Sequence, residues 1–393
     1  MRMGGFVQRI GGVLGNKKRR ECFAVYAMGL LSSAERKSVE PIATQAWPGV
    51  LTARAAHERM LHFVGDSAWN DEAVRSEAAQ YALAAMTQQE PIQVWIIDDT
   101  GFLKQGEHSV GVQRQYTGSA GKITNCQIGV SLTLATDTMH VPVDFELYLP
   151  ECWANDPARR AEAKIPDHVA FQTKLQLALK MVRRAMAHDL PRGLVLADST
   201  YGDSTDFRAA LRHHGLDYGV GVSPNITVWR LDSLGRRRGD PVKACELAAG
   251  QRFRRYTWRE GTRRKLAARF AFERVVAARD DGTDPADRET VWLVSEWRYD
   301  ERKPRFQLTT LPAELPGRYI VNLLKQRWRT ERVYEDMKGE LGLDHFEGRS
   351  FRGWHHHVSV ALCCYAFVAA ERARHFPPEA RWARSDGSIT CAA

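Results

Sequence analysis

The sequence predicts an α/β fold: a mixed sheet covered by helices, interrupted by a β-rich insertion and preceded by a helical region. Three observations predict it. Apolar, β-branched runs end in aspartates at residues 92–99 and 193–198, which reads as buried strands that deliver acids to one sheet edge. Strand-like runs and a long helical period lie between them. After Ser223 the pattern changes to short alternating segments, and helical spacing returns at Gly317.

Residues 21–89 carry helical spacing in Phe23, Tyr26, Ala27, Leu30 and Leu31, and again in Ala53, Ala56, Met60 and Phe63, so 1–90 is read as a helical N-terminal domain. The run at 92–99 is the first core strand, and further strands are expected at 127–135 and 141–149. From 168 to 188, Val169, Phe171, Leu175, Leu177, Leu179, Met181 and Val182 fit one long helix. A fourth strand at 193–198, a helix at 203–214 and a fifth strand at 218–222 follow. Three strands, helix, strand, helix, strand is the element order of an RNase H-like core. That core is expected at 91–223 and again at 317–375, with the insertion at 224–316 and a C-terminal tail at 376–393.

At 393 residues the chain is long enough for two or three domains. Its formal charge of +9 and pI near 9.2 come from interleaved acids and bases, a balance that suits basic surfaces on a folded protein and a polyanionic partner. Seven scattered cysteines form no CxxC pair and read as reduced, cytosolic thiols. The apolar run at 358–370 is shorter than the about 20 residues a membrane span needs. The cluster Lys17, Lys18, Arg19 and Arg20 follows the few apolar residues before it, the reverse of a secretory signal. A cytoplasmic protein without a membrane segment is expected.

The chemistry depends on where the acids fall. Asp98 and Asp99 end the first core strand and Asp198 the fourth, two strands that are neighbours in such a sheet, so their carboxylates share one mouth. Magnesium takes oxygen ligands, usually from a few carboxylates plus phosphate and water. Two such ions about 3.5 to 4 Å apart serve in-line displacement at phosphorus. A third carboxylate is offered by a late helix, where Leu324, Arg327, Glu331, Tyr334 and Lys338 lie along one face. Glu331 is thus flanked by two bases suited to phosphate. Glu335 and Asp336 compete with it nearby. The run His355, His356 and His357 opens the last apolar helix and reads as a helix-start or surface feature in preference to a metal site.

The segments 95–102 (Trp-Ile-Ile-Asp-Asp-Thr-Gly-Phe), 196–202 (Leu-Ala-Asp-Ser-Thr-Tyr-Gly) and 327–331 (Arg-Trp-Arg-Thr-Glu), running on to Lys338, resemble the DDE transposases of bacterial insertion sequences. The resemblance covers about residues 23–372 and is closest to the branch named after insertion sequence seven hundred and one. The wider group, whose members cut and paste through DNA hairpins, carries tyrosine, two residues, arginine, three residues, glutamate, six residues, lysine. Arg327, Glu331 and Lys338 match that signature, while Leu324 stands at the tyrosine position and Tyr334 offers a hydroxyl on the same face.

The resemblance implies a catalytic, metal-binding set of Asp99, Asp198 and Glu331. Asp99 is preferred to Asp98 because the family aspartate directly precedes a threonine, as Asp99 precedes Thr100. It implies two Mg2+ ions, with Mn2+ as a substitute, and DNA contacts from Arg327, Lys338, Tyr334, Arg329 and Trp297, the last through the base-stacking tryptophan that related enzymes carry in their insertion. It further implies binding of transposon ends by the N-terminal region and the insertion, capture of target DNA, and a homodimer assembled on DNA at the nucleoid. A DNA-binding descendant that no longer cuts, or an RNase H-like nuclease without strand transfer, are the competing expectations.

Overall fold

The structure is a computed structural model that describes residues 2–260, 265–278 and 290–376. The tail expected after 376, with Cys391, lies outside the described residues.

Five helices come first: α1 (Arg2–Leu14), α2 (Lys17–Leu31), α3 (Val39–Gln45), α4 (Ala53–Leu61) and α5 (Asp71–Met86). The basic cluster at 17–20 forms the start of α2. Asn16 caps it by accepting the Arg19 N–H at 3.0 Å, and the Arg19 guanidinium donates to Ser67 Oγ at 2.9 Å. The core then supplies β1 (Val94–Leu103), β2 (Gln113–Thr117), β3 (Lys122–Ala135) and β4 (His140–Tyr148). Two short helices, α6 (Glu151–Ala154) and α7 (Pro157–Glu162), lead to α8 (Lys174–Ala187), β5 (Leu194–Ala197), α9 (Ser199–Gly202), α10 (Thr205–His213) and β6 (Tyr218–Val222).

Strand β1 pairs antiparallel with β3 and parallel with β5, β5 pairs parallel with β6, and β4 flanks β3. The resulting order β4-β3-β1-β5-β6 is that of an RNase H-like core, in agreement with the expected fold. Two boundaries differ from the sequence reading. Helix α8 starts at Lys174, because Thr173 and Gln176 form a reciprocal capping box that sets its first turn. Strand β1 runs on to Leu103, because β3 pairs with it down to Cys126, whereas its pairing with the parallel neighbour β5 stops at Ile96. Asp98 and Asp99 therefore sit within a strand, at the point where one of its two neighbours has stopped.

Residues 224–316 supply β7 (Thr227–Leu231), β8 (Arg237–Lys243), α11 (Ala244–Ala248), β9 (Arg254–Glu260), β10 (Lys265–Ala277), β11 (Thr290–Trp297) and β12 (Arg305–Thr309). These strands continue the core sheet: β12 pairs antiparallel with β6, Phe306 opposite Val222. Helix α12 (Gly317–Leu324), a 3-10 turn, α13 (Trp328–Gly339) and α14 (Phe351–His375) complete the described chain.

Helix α14 packs along α5 and β4. One apolar core thereby joins Phe6, Tyr26 and Ala82 of the first helices to Phe145 of the sheet and Trp354 and Leu362 of α14. A second, smaller core on the opposite side of β1 holds Val94 and Ile96 with Phe270, Ile320 and Leu324. No helix among the described residues is long and apolar enough to cross a membrane. The six described cysteines are free.

The histidine run begins α14 as expected but is buried, because α14 is covered by α2, α5 and β4. His357 takes the Tyr26 hydroxyl at Nδ1 (2.8 Å) and faces the Gly342 carbonyl with Nε2 (3.0 Å). His356 stacks on Trp69 with ring centroids 3.6 Å apart. Burial pushes His356 and His357 down to about 4. The unfolded chain then takes up protons from about pH 6.5 downward while the folded one resists until about 4. Stability is expected to be complete above pH 6.5 and to fall through that window by up to about 1.4 kcal/mol per pH unit for each histidine. Urea midpoints at pH 7.5 and pH 5 check this; equal midpoints would contradict it.

Candidate active site

Successive strand residues point to opposite faces, and β1 uses this to separate its two aspartates. Asp98 continues the face of Val94 and Ile96. Its Oδ2 accepts a hydrogen bond from Arg327 Nη1 at 2.5 Å, and its Oδ1 takes the Asp99 N–H at 2.9 Å. Arg327 Nη2 reaches Glu331 Oε1 at 3.3 Å, so one guanidinium joins Asp98 to Glu331. Burial, with the negative charges of Asp198 and Asp99, pushes the Asp98 carboxyl up to about 7 although Arg327 opposes the shift. Asp99 has different partners: Lys174 at the start of α8 lies 3.0 Å from its Oδ2, and the Tyr201 hydroxyl 3.5 Å.

Asp198 follows β5 and caps α9, its Oδ1 accepting the Thr200 N–H at 2.9 Å. The turn is held close to β6. A Cβ added at Gly202 would lie 1.9 Å from the Gly221 carbonyl oxygen, and one at Gly221 would lie 3.0 Å from the Ser199 nitrogen. Two glycines therefore let the Asp198 turn seat on the neighbouring strand.

The other residues expected at the site divide. Arg327 is half-buried and lies between two acids. Lys338 donates to Thr100 Oγ1 (2.9 Å) and to the Gly101 carbonyl (2.7 Å), which clamps α13 to β1. The Tyr334 hydroxyl is buried against Ser131 Oγ at 2.6 Å. Arg329 is buried and bonded to Gln326 and the Asp137 carbonyl. Trp297, in the insertion, donates Nε1–H to the Glu301 carbonyl at 3.1 Å, with the Arg269 guanidinium 5.3 Å from its ring centroid.

Asp198, Arg327 and Glu331 line a cleft of about 690 Å³ whose far wall comes from β9, β10 and the ends of β11 and β12. Arg255, Trp258, Arg298, Arg305 and Lys325 also line it. Within it, buried Glu296 accepts from Lys325 at 2.6 Å and Arg298 at 3.0 Å. Nothing local distinguishes these arginines from the many others in the chain. Only the pairing of β12 with β6 brings the insertion beside Asp198.

The all-oxygen donor set suits a hard divalent cation, as does a buried aspartate whose charge one arginine does not offset. Among the described residues, no three acidic, histidine or cysteine side chains stand close enough to hold an ion in their present rotamers. Arg327 occupies the space between Asp98 and Glu331.

Residues 9–265 match the family model of the DDE superfamily endonucleases. The chain belongs to that family. A probable transposase for insertion sequence element IS701 from Microchaete diplosiphon is 30% identical over 206 residues, 52% of this chain and 49% of the relative. This DDE endonuclease thus spans about half the length of the curated relative it matches. The family match includes Asp98, Asp99 and Asp198 and ends before α13, so the case for Glu331 in this DDE endonuclease rests on its link through Arg327.

Proposed function

We propose that the chain is a DNA transposase that binds the ends of an insertion sequence, cuts them and joins them to new DNA. The observation that carries this reading is that Arg327, in the wall of one basic cleft with Asp198 and Glu331, joins Glu331 to Asp98 behind it, so that acids from three separate elements surround one guanidinium. Of the adjacent aspartates, Asp98 is our choice of ligand, because it meets Arg327 of the cleft wall while Asp99 is paired with Lys174 on the other face of β1. Asp98, Asp198 and Glu331 would hold two magnesium ions, or manganese in their place, which would supply activation of a water or 3′ hydroxyl and charge neutralisation at phosphorus.

The chain's own residues do the rest. Arg327 turns its guanidinium from Asp98 to a phosphate oxygen, and Arg255, Arg298 and Lys325 offset the backbone charge of the strand in the cleft. Lys338, Tyr334 and Arg329, expected as DNA contacts, act by holding α13 against β1, β3 and the turn before β4. The N-terminal helices and the insertion bind the element ends. Two copies assemble on DNA, since two ends are processed together, and the protein works at the nucleoid in the cytoplasm.

The test is magnesium-dependent cleavage and strand transfer on DNA carrying the inverted repeats that flank the gene. Glu331→Gln is expected to lower cleavage about 10³-fold with DNA binding kept, and Glu335→Gln to leave it within about threefold, as for an exposed charge outside the site. An active Glu331→Gln enzyme removes that glutamate from the site. Wild type that binds without cutting supports a DNA-binding descendant, and cutting without joining supports a plain nuclease.

A further inference from the structure

A second groove, of about 1050 Å³, adjoins the cleft described above at Trp328. The two share Trp258, Lys325, Trp328 and Glu331 in their walls, so both open onto the same glutamate. The second groove is strongly basic. Arg259, Arg318, Arg332 and Arg372 line it, against Asp137, Glu331 and Glu335. Arg318 and Arg372 are exposed and have no carboxylate partner among the described residues. Arg259 stacks on Trp328 at 4.1 Å from the ring centroid, which fixes the wall between the grooves. The amide oxygen of Asn322, also in the lining, is buried without a protein partner.

We infer that this second groove holds the DNA that receives the cut end, while the first holds the end itself. The inference rests on the proposed transposase function and deepens it. Joining is an in-line displacement in which the 3′ oxygen of the cut end bonds to a phosphorus of the receiving strand. The bond from that phosphorus to its own 3′ oxygen breaks, and the proton of the attacking hydroxyl passes to the oxygen released, so nothing is oxidised or reduced. The attacking oxygen must approach phosphorus opposite the oxygen that leaves, which requires two DNA segments to reach one set of carboxylates from two directions. Two basic grooves with separate arginines that meet at Trp328 and Glu331 meet that requirement. The cations of the second groove come from β9, α12, α13 and α14, and arginines spread over four elements suit contact with a sugar-phosphate backbone.

The test uses the full chain with magnesium, end DNA already cut to expose its 3′ hydroxyl, and a supercoiled plasmid of unrelated sequence as receiver. The doubly substituted Arg318→Glu, Arg372→Glu protein is expected to join ends to plasmid about tenfold more slowly or worse. Its joining is also expected to lose about 2 from the slope of log rate against log salt, roughly 1 per phosphate contact removed. Cleavage of uncut ends by the same protein should stay within about twofold, which also shows that it is folded. Normal joining overturns the inference. Equal loss of cleavage and joining also overturns it, because the groove would then hold the end DNA. A wild-type protein that neither cuts nor joins fails the transposase reading itself, an outcome distinct from both.

Discussion

Replacing Asp98 with Asn is expected to abolish magnesium-dependent cleavage, by about 10³-fold or more, while Asp99→Asn costs far less. Both residues are aspartates in one strand, and side-chain alternation is what separates them. Asp98 lies with Asp198 and Arg327, and burial and the neighbouring acids push its carboxyl up to about 7. A carboxyl that resists ionisation among other acids would ionise against a bound cation, and the asparagine would remove that ligand. The same substitution removes one acid from a crowded group and leaves Arg327 its bond to Glu331, so thermal stability should change little. Asp99→Asn instead loosens Lys174 at the start of α8. Paired measurements of cleavage rate and melting temperature decide between them: an inactive Asp99→Asn with an active Asp98→Asn would reverse the assignment and restore the ligand suggested by the neighbouring Thr100.

The largest effect on stability is expected from Asp144→Ala. Asp144 on β4 accepts from Arg75 of α5 at 3.0 Å and from Arg184 of α8 at 2.7 Å. Arg75 is 3% exposed and also bonds Asp71 and the Ser359 hydroxyl of α14, and Arg184 reaches Glu146 at 2.5 Å. The network ties α5, α8, α14 and the sheet together where no apolar contact could tolerate the charge. Removing one partner of a buried pair leaves the other uncompensated, at a cost of about 3–5 kcal/mol. Here two arginines lose a partner at once.

The network has an acid limit. Burial alone would raise the Glu146 carboxyl, but Arg184, Lys180 and Arg75 hold it at about 2. Its contribution is therefore fully present above the ordinary glutamate value near 4.5 and is lost as pH falls through about 2. Denaturant titrations of wild type and Asp144→Ala at pH 7 measure the first effect. A loss below about 1 kcal/mol would mean that water reaches the site and screens the arginines.

The sequence by itself determined the class of the fold and the chemistry of its edge. Apolar runs ending in Asp98–Asp99 and Asp198 are legible because a buried strand must be continuously apolar, and the element order then leaves few topologies. The face of α13 that carries Arg327 and Glu331 was legible because helical spacing is local. Which aspartate meets Arg327 and Glu331 was not, because alternation depends on where β1 meets its neighbours, and its pairing with β5 stops two residues before Asp98. Nor was the fate of Lys338, Tyr334 and Arg329, whose side chains the fold uses to fasten α13; a basic or hydroxyl group on the right face looks the same whether it meets phosphate or backbone. The burial of three histidines and the charge network around Arg75 depend on α5, α8 and α14 meeting over β4. That contact joins residues nearly 300 positions apart, and local periodicity carries no record of it.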